Sequence, residues 1–301
     1  MRRNYILRLI KFAVFTSIMI SCTNSFSDDY SANNFITING IKICYQKYGN
    51  AKDSIILIHG FVASSYSWNK IVVALSKKFT VYALDLPGFG YSDRPKDIEY
   101  NIDTYAKLVL DFMNSFGIKN AHLAGNSMGG AISLKIVYDN PERVKKLILV
   151  DSAGADEKIS FHPELLKSFD EKELLKFAKM LIDNDTFIRM VMRMVFYNQI
   201  LVEDLFDGYA KPLRMEGSAE VMIALIKRFE KWSLKDKLQY INIPTLIIWG
   251  ENDNIISVGN TEIFNQLIKN SKVVILKECG HIPMEEKPEE VSKLIIEFCS
   301  E

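Results

Sequence analysis

The chain has 301 residues, of which 48% are hydrophobic and 25% are charged, and its 37 lysines and arginines balance its 37 aspartates and glutamates. This composition is typical of a globular protein with one large core, or with one core and an insertion, and it excludes disorder over most of the chain. Because no basic run with interleaved aromatic residues is present, the sequence also argues against a nucleic-acid-binding protein.

The N-terminal segment differs in composition from the rest of the chain. Four basic residues precede an apolar stretch over residues 12–20, which is too short to span a bilayer but has the length of the apolar region of a secretory signal. The sequence therefore predicts a signal peptide over residues 1–21 and a polar tether over residues 22–34. Residues 19–22 resemble a bacterial lipobox, so Cys22 is predicted to be lipidated. A plain cleaved signal and an uncleaved anchor are the alternatives.

Lipidation of Cys22 predicts an exported bacterial protein that is held at a membrane of the cell envelope by its lipid. A periplasmic or secreted protein is the alternative. The remaining cysteines, Cys44, Cys279 and Cys299, form no C-x-x-C pair. They therefore predict neither a zinc site nor a disulfide framework, and we expect them to be reduced.

From residue 35 onward, apolar runs alternate with segments of helical periodicity. A hairpin is predicted over residues 35–48, with its turn at Asn39-Gly40. The later runs are short and rich in β-branched residues, which favours strands buried on both faces. Alternating strands and helices predict a parallel sheet with helices on both faces. The predicted strands are residues 54–58, 79–84, 121–124, 146–150, 244–249 and 272–276, and the predicted helices are residues 66–76, 104–116, 128–139, 258–269 and 288–298.

One segment interrupts this alternation with helical patterns alone. A helical insertion between two strands of a parallel sheet is predicted to form a cap over the carboxyl edge of the sheet. The chain is therefore divided into a core over residues 35–154 and 239–301 and a helical cap over residues 155–238. The cap is rich in methionine, whose flexible side chain suits either an adaptable apolar cavity wall or ordinary helix packing. The helical stretches of the cap are residues 171–182, 187–197 and 219–229.

The segment Gly125-Asn126-Ser127-Met128-Gly129 lies between a predicted strand and a predicted helix. A serine at such a sharp turn is held in strained dihedral angles, and small residues around it relieve the crowding. The pattern is typical of a nucleophile elbow, which exposes a serine hydroxyl for attack on a carbonyl carbon. Ser127 is therefore the predicted nucleophile.

The candidate base for Ser127 is one of four histidines. A serine hydroxyl is a poor nucleophile until a neighbouring imidazole accepts its proton. His281 follows the last predicted strand in a loop of the kind that carries catalytic side chains, so it is the predicted general base. His122 lies within a predicted buried strand and is expected to pack in the core. His162 lies in the cap and is expected to be solvated or to cap a helix.

A carboxylate is needed to hold the imidazole in the correct tautomer and to stabilise its charged form. Asp253 lies in a loop after a predicted strand and follows the chain order serine, acid, histidine, so it is the predicted acid. Its alternative role is that of a turn residue. Asp151, which also follows a predicted strand, is the rival acid, and Glu251 is a third candidate.

Acyl transfer also requires hydrogen-bond donors that face the oxyanion. The N–H of Met128 is one predicted donor, because this residue directly follows the nucleophile. The N–H of Phe61, in the segment His59-Gly60-Phe61 after the strand at 54–58, is the second. His59 itself is predicted to be structural and to fasten this loop by a backbone hydrogen bond.

These motifs together resemble the α/β-hydrolase superfamily. The resemblance is also carried by residues 85–92 (DLPGFGYS) and 140–144 (NPERV), runs from about residue 35 to the C-terminus, and is weakest in the cap. It implies the α/β-hydrolase fold, with an eight-stranded, mostly parallel sheet, a lid domain between strands six and seven, and no cofactor. Residues 85–92 would form a structural turn near the pocket, and they lack the third glycine of a dinucleotide fingerprint, which argues against NAD.

The identity of the nucleophile narrows the activities that this resemblance implies. Haloalkane dehalogenases and epoxide hydrolases carry aspartate at the elbow, where this chain has Ser127. The leading prediction is a carboxylesterase or lipase-like serine hydrolase that cleaves a small apolar ester through an acyl-enzyme. A lactonase, a meta-cleavage C–C hydrolase, and an acyltransferase or perhydrolase are the alternatives; the single glycine before Phe61 weakens the C–C hydrolase. A lipid-anchored binding protein that uses the pocket as a receptor is the alternative outside catalysis.

Overall fold

The computed structural model of the chain describes residues 33–155, 170–227 and 233–301. The predictions that lie outside these residues are the signal peptide, the tether up to residue 32, the lipidation of Cys22, the role of His162 and the end of the helix at 219–229. Across the ranges that the structure describes, no helix is both long enough and apolar enough to cross a membrane.

The fold is built on a single sheet of eight strands with the spatial order 1-2-4-3-5-6-7-8. The first two neighbour pairs in this order are antiparallel and the remaining pairs are parallel, which confirms the predicted mostly parallel sheet. In chain order the strands are β1 (Asn34–Ile38), β2 (Ile41–Tyr48), β3 (Ser54–Ile58), β4 (Thr80–Leu84), β5 (Ala121–Asn126), β6 (Val144–Val150), β7 (Thr245–Gly250) and β8 (Ser271–Leu276).

The sheet separates two layers of core, because successive side chains of a strand point to opposite faces. In β3, Ile56 and Ile58 belong to one cluster of buried apolar side chains, whereas Ile55 and Leu57 belong to the other. All four side chains are fully buried. Burial of each aliphatic side chain contributes about 1.5–3 kcal/mol, so an uninterrupted apolar run is stable only as a central strand covered on both sides.

Helices cover both faces of the sheet. Side chains of α2, α3 and α9 contribute to the first cluster, and those of α1 and α11 contribute to the second. In chain order the helices are α1 (Asn69–Leu75), α2 (Ile102–Ser115), α3 (Met128–Asp139), α4 (Glu171–Asp183), α5 (Asp185–Val195), α6 (Ile200–Leu213), α7 (Ser218–Ile226), α8 (Lys235–Leu238), α9 (Asn260–Leu267), α10 (Pro283–Glu286) and α11 (Pro288–Ser300).

Helices α4 to α7 lie between β6 and β7 in the chain and form the described part of the cap. The sequence pattern did not predict α6, because Gly208 and Pro212 interrupt its apolar periodicity. Gly208 is required by packing, since a Cβ there would collide with the ring of Tyr66 in the core. The guanidinium of Arg94, a core residue, donates hydrogen bonds to the carbonyl of Pro212 at 3.0 Å and to Ser218 Oγ at 3.0 Å. The cap is thus fastened to the core by a cation as well as by apolar contacts.

His122 lies in β5 and is only 3% exposed, in the core position expected of it. Its ring packs edge-on against Phe79, with the ring centroids 5.5 Å apart. Neither ring nitrogen forms a hydrogen bond with a residue in the described ranges. Burial, to which the nearby Lys145 ammonium adds, lowers the pKa of His122 to about 4. The imidazole is therefore neutral at pH 7, and its protonation opposes folding.

We predict that the protein loses stability through His122 as the pH falls from 6.5 towards 4. The pKa of His122 is lower in the folded than in the unfolded state, so the neutral ring contributes its full stability above pH 6.5. The free energy of unfolding should therefore fall by about 3 kcal/mol as the pH decreases from 6.5 to 4. The variant His122→Leu has no proton to take up, so its free energy of unfolding in urea should fall by that much less over this range. Parallel pH curves for the two proteins would contradict the prediction.

Candidate active site

Ser127 occupies the turn between β5 and α3 in a strained backbone conformation. Its φ is 53° and its ψ is −118°, a region that residues with a side chain rarely adopt. The strain is imposed by close backbone packing: a Cβ on Gly125 would collide with the carbonyl of Gly129, and a Cβ on Gly129 would collide with the carbonyl of Ile58. The strand and the helix can approach this closely only because both positions are glycine.

The hydroxyl of Ser127 lies at the N-terminal end of α3, which begins at Met128. The first backbone N–H groups of a helix have no partner within the helix, and the helix dipole places partial positive charge there. The N–H of Met128 is therefore available to a negatively charged oxygen beside Ser127. This is the setting that an oxyanion donor requires.

His281 and Asp253 are hydrogen-bonded to each other through a side-chain contact of 2.7 Å between Nδ1 and Oδ2. The other oxygen of Asp253 accepts the backbone N–H groups of Ile255 at 2.8 Å and Ile256 at 3.0 Å. Burial alone would raise the pKa of Asp253, but the His281 ring and these N–H donors outweigh it and lower the pKa below its ordinary value. An ionised Asp253 accepts the proton on Nδ1, so Nε2 is the ring nitrogen of His281 that can accept another proton.

Asp151, the rival acid, lies beside this pair but has a different set of neighbours. It is fully buried, and its Oδ1 accepts the backbone N–H of Gly250 at 2.9 Å. Burial first, and the charge of Asp253 second, raise the pKa of Asp151 well above its ordinary value. The neutral form of Asp151 is therefore favoured, and a neutral carboxyl group cannot stabilise an imidazolium as the Asp253 anion does. The third candidate, Glu251, is exposed.

Asp151, Asp253 and His281 each have one potential metal-ligand atom, and these three atoms lie within 4.8 Å of one another. Two of the groups are already engaged with each other, because the carboxylate of Asp253 accepts the Nδ1 proton of His281. The contact between Asp253 and His281 also serves to orient the imidazole.

The loop after β3 lies directly against the elbow. A Cβ on Gly60 would approach the Cβ of Ser127 to 3.0 Å, so the loop that carries Phe61 packs against Ser127. His59 fastens this loop: its Nε2 accepts the backbone N–H of Leu86 at 3.0 Å, and its Nδ1 donates to the carbonyl of Gly60 at 2.7 Å. Full burial lowers the pKa of His59, which keeps the ring neutral and suited to both bonds.

A cavity of about 350 Å³, called the central cavity below, joins the core to the cap. Ser127 and His281 line it together with Phe61 from the loop after β3. Of the cap methionines, Met192 and Met222 line the cavity, whereas Met180, Met190 and Met194 are exposed at the surface. Most of the remaining wall is apolar. The cap contributes Ile182, Phe187, Ile188, Val191, Val195, Phe196, Tyr209 and Leu213 to the wall.

Comparison with known proteins places this arrangement in a family. The model of the alpha/beta hydrolase fold matches residues 53–288. The chain belongs to the α/β-hydrolase family. This α/β-hydrolase is 30% identical over 263 residues to "Uncharacterized hydrolase YugF" of Bacillus subtilis (strain 168), covering 87% of this chain and 96% of that protein. It is 27% identical over 306 residues to Lipase 1 of Psychrobacter immobilis, covering 95% of this chain and 94% of the relative.

Solved structures agree with this assignment at the level of the fold. The meta-cleavage product hydrolase from Pseudomonas fluorescens IP01 matches the α/β-hydrolase described here with a TM-score of 0.77 and 23% sequence identity, covering 88% of this chain and 96% of that chain. At this level of identity the likeness shows a common fold. It leaves the reaction to be inferred from the site itself.

Two polar residues at the site were not singled out from the sequence. Nδ2 of Asn126 donates to the carbonyls of Val150 and His281, each at 3.1 Å, and so links the elbow to the loop of the candidate base. Glu285 is buried behind that loop, and Lys70 Nζ lies 3.4 Å from its Oε2. Burial raises the pKa of Glu285 to about 8 against the opposing effect of Lys70. Two features of the sequence could have indicated these residues. Asn126 ends a buried strand, and Glu285 begins an acidic pair four residues after His281.

We predict that Gly125→Ala destabilises the fold by about 3 kcal/mol or more, because the added methyl group collides with the backbone of Gly129 rather than with a movable side chain. Urea unfolding measures the loss. The matched control is Gly259→Ala, where the nearest heavy atom to a new Cβ is Ser257 Oγ at 3.5 Å. That variant should remain within about 1 kcal/mol of the wild type. Equal stability of the two variants would show that the elbow is not tightly packed.

Proposed function

We propose that this α/β-hydrolase is a serine carboxylesterase or lipase-like enzyme that cleaves the ester of an apolar acyl group through an acyl-enzyme. The observation that carries the proposal is the hydrogen bond of 2.7 Å between His281 Nδ1 and an ionised Asp253, in a cavity shared with the strained Ser127. This bond orients an imidazole whose Nε2 is free to take a proton on the side of the cavity. A serine activated in this way is a nucleophile suited to acyl transfer.

The reaction proceeds in two halves. His281 accepts the proton of Ser127 while Ser127 Oγ attacks the ester carbonyl carbon, and Asp253 stabilises the imidazolium that forms. Collapse of the tetrahedral intermediate breaks the bond to the leaving alcohol, which takes its proton from His281. Water then attacks the acyl-enzyme by the same route, its proton passing to His281, and the acid product leaves with Ser127 restored.

The backbone N–H groups of Phe61 and Met128 stabilise the oxyanion of both tetrahedral intermediates. The Phe61 donor is held by the hydrogen bonds of His59, and the Met128 donor is held by the start of α3. Donors that are already in position require no reorganisation as the charge develops, and the loss of one such donor typically costs about 3–4 kcal/mol of transition-state stabilisation.

The composition of the central cavity is consistent with a substrate that carries an apolar acyl group. Its wall is mostly aliphatic and aromatic, and its few polar side chains are those of Asn126, Ser127, Tyr209 and His281. The cavity volume of about 350 Å³ lies within the range of about 300–1,000 Å³ that is typical of small-molecule pockets. The similarity to Lipase 1 of Psychrobacter immobilis, which extends over 95% of this chain, is consistent with such a substrate.

The first test is Ser127→Ala with a series of p-nitrophenyl esters of increasing acyl length. We expect the variant to lose hydrolysis by at least about 10⁴-fold and to lose covalent labelling by a fluorophosphonate, because no other group replaces the nucleophile. Ser115→Ala, which alters a hydroxyl on the exposed part of α2, should hydrolyse and label like the wild type. Undiminished turnover by Ser127→Ala would refute the proposal.

The second test separates the two carboxyl groups. Asp253→Asn should lower kcat by about 10³–10⁴-fold, because an amide cannot stabilise the imidazolium and favours the wrong tautomer. Asp151→Asn should lower kcat by less than about tenfold, because burial and the charge of Asp253 already favour the neutral form of Asp151. Steady-state kinetics with the best ester of the series measures both effects. Similar losses in the two variants would contradict the assignment of Asp253, rather than Asp151, as the acid that stabilises the imidazolium.

A further inference from the structure

The cap rests directly on the loop that carries His281. The backbone N–H of His281 donates to the carbonyl of Val195, the last residue of α5, at 2.9 Å. Gly280 leaves no space between loop and cap, since a Cβ there would collide with the same carbonyl and approach the backbone nitrogen of Tyr197 to 2.8 Å. The candidate base is thus hydrogen-bonded through its own main chain to a segment of the cap.

One carboxylate connects the same two segments. Oε1 of Glu286 accepts the backbone N–H of Gly280 at 2.7 Å, and its Oε2 accepts the backbone N–H of Asn198 at 2.8 Å. Gly280 belongs to the loop of His281, whereas Asn198 is a cap residue 88 positions away from Glu286 in the sequence. Glu286 itself is the last residue of the short core helix α10. Hydrogen bonds to an ionised acceptor are about twice as strong as neutral ones.

The cap segment held by Glu286 also forms part of the cavity wall. Val195 and Phe196 line the central cavity, and both lie within three residues of Asn198. Phe196 is buried in the same apolar cluster as Cys279 and Ile282, which flank His281 at a distance of one or two residues. A displacement of this wall would therefore disrupt the hydrogen bonds that position the His281 loop.

We propose that Glu286 is a positioning residue for the hydrolysis proposed above, on which this inference rests: its carboxylate holds residues 195–198 of the cap and the Gly280-His281 loop together, so that His281 is aligned with Ser127 only while the cap is seated on the core. The residue does not contact the reacting atoms. It acts on the rate through the orientation of the imidazole, and a misplacement of about 1 Å can cost about 100-fold in rate.

The experiment compares Glu286→Ala and Glu286→Gln with the wild type, with each rate referred to the number of sites that a fluorophosphonate labels. In Glu286→Ala we expect kcat per labelled site to fall by about tenfold or more while KM changes by less than about threefold, because an interaction that aligns the base affects the chemical step and not ester binding. Glu286→Gln should lie between the two, because its single amide oxygen can replace only one of the two acceptors.

The matched control is Glu289→Ala, which removes an exposed carboxylate three positions away, in the first turn of α11. It should behave like the wild type. If Glu286→Ala does not fold, the Gln variant carries the test and should show a fall of at least about threefold in kcat per labelled site. An unchanged kcat per labelled site in the folded Glu286 variants would overturn the proposal, since a purely structural role lowers stability and the number of competent sites only.

Hydrogen exchange separates a failure of this inference from a failure of the proposed function. Peptides covering residues 195–200 and 279–283 should both exchange faster in Glu286→Ala than in the wild type, by similar factors, and neither should change in Glu289→Ala. Faster exchange in only one of the two segments would overturn the coupling. An absence of ester hydrolysis and of labelling in the wild type would refute the proposed function instead, and the exchange result would still report on the link between cap and loop.

Discussion

The close contact of three backbone segments at the elbow determines the position of the other groups in the site. β5 leads into Ser127, α3 leads away from it, and the carbonyl of Ile58 at the end of β3 presses against Gly129. The loop after β3 is therefore held by the same packing that holds the serine. The fold itself therefore holds the proposed nucleophile and its proposed hydrogen-bond donors in a preformed arrangement.

The two aspartates show how hydrogen bonding decides which of two buried carboxyl groups carries charge. Asp253 receives one ring N–H and two backbone N–H donors, which outweigh the cost of removing its charge from water. Oδ1 of Asp151 accepts one backbone N–H, and its neighbour is already an anion. A second negative charge at this distance would repel the first, so the ionisation of Asp253 opposes that of Asp151.

The sequence predicted most of the sheet and the central residues of the candidate site for identifiable reasons. Strands such as β3 are uninterrupted apolar runs, and Ser127, Asp253 and His281 lie in short loops at strand ends, where spacing alone brings them near one edge. Asp253 and Asp151 both follow a strand and both lie between Ser127 and His281 in the chain, so neither criterion ranks one above the other. The N–H donors that separate them became visible only in three dimensions. The Glu286 contacts depend on where the cap rests, which no local pattern records.

The cap was the least predictable part for a related physical reason. Helix α6 contains Gly208 and Pro212, which interrupt its apolar pattern. Glycine is needed at position 208 because a side chain there would collide with Tyr66, which is far away in the sequence. The methionines of α5 illustrate the same point, because Met192 faces the central cavity while Met190 and Met194 face solvent. Which side of an amphipathic helix is covered depends on the elements beside it, and composition alone does not report this.

The apolar wall of the central cavity has a consequence for selectivity. Sites that hydrogen-bond a substrate reject analogues lacking the matching group by about 10⁴–10⁵-fold, whereas an apolar pocket distinguishes ligands that differ by one methylene by only about 10–200-fold. With few polar side chains besides Ser127 and His281, this cavity would recognise the acyl chain of the proposed substrate by size and shape but would have little means of identifying it chemically. Such an enzyme would process a mixture of related esters in proportion to their fit, and its physiological substrate would be determined by which esters reach it.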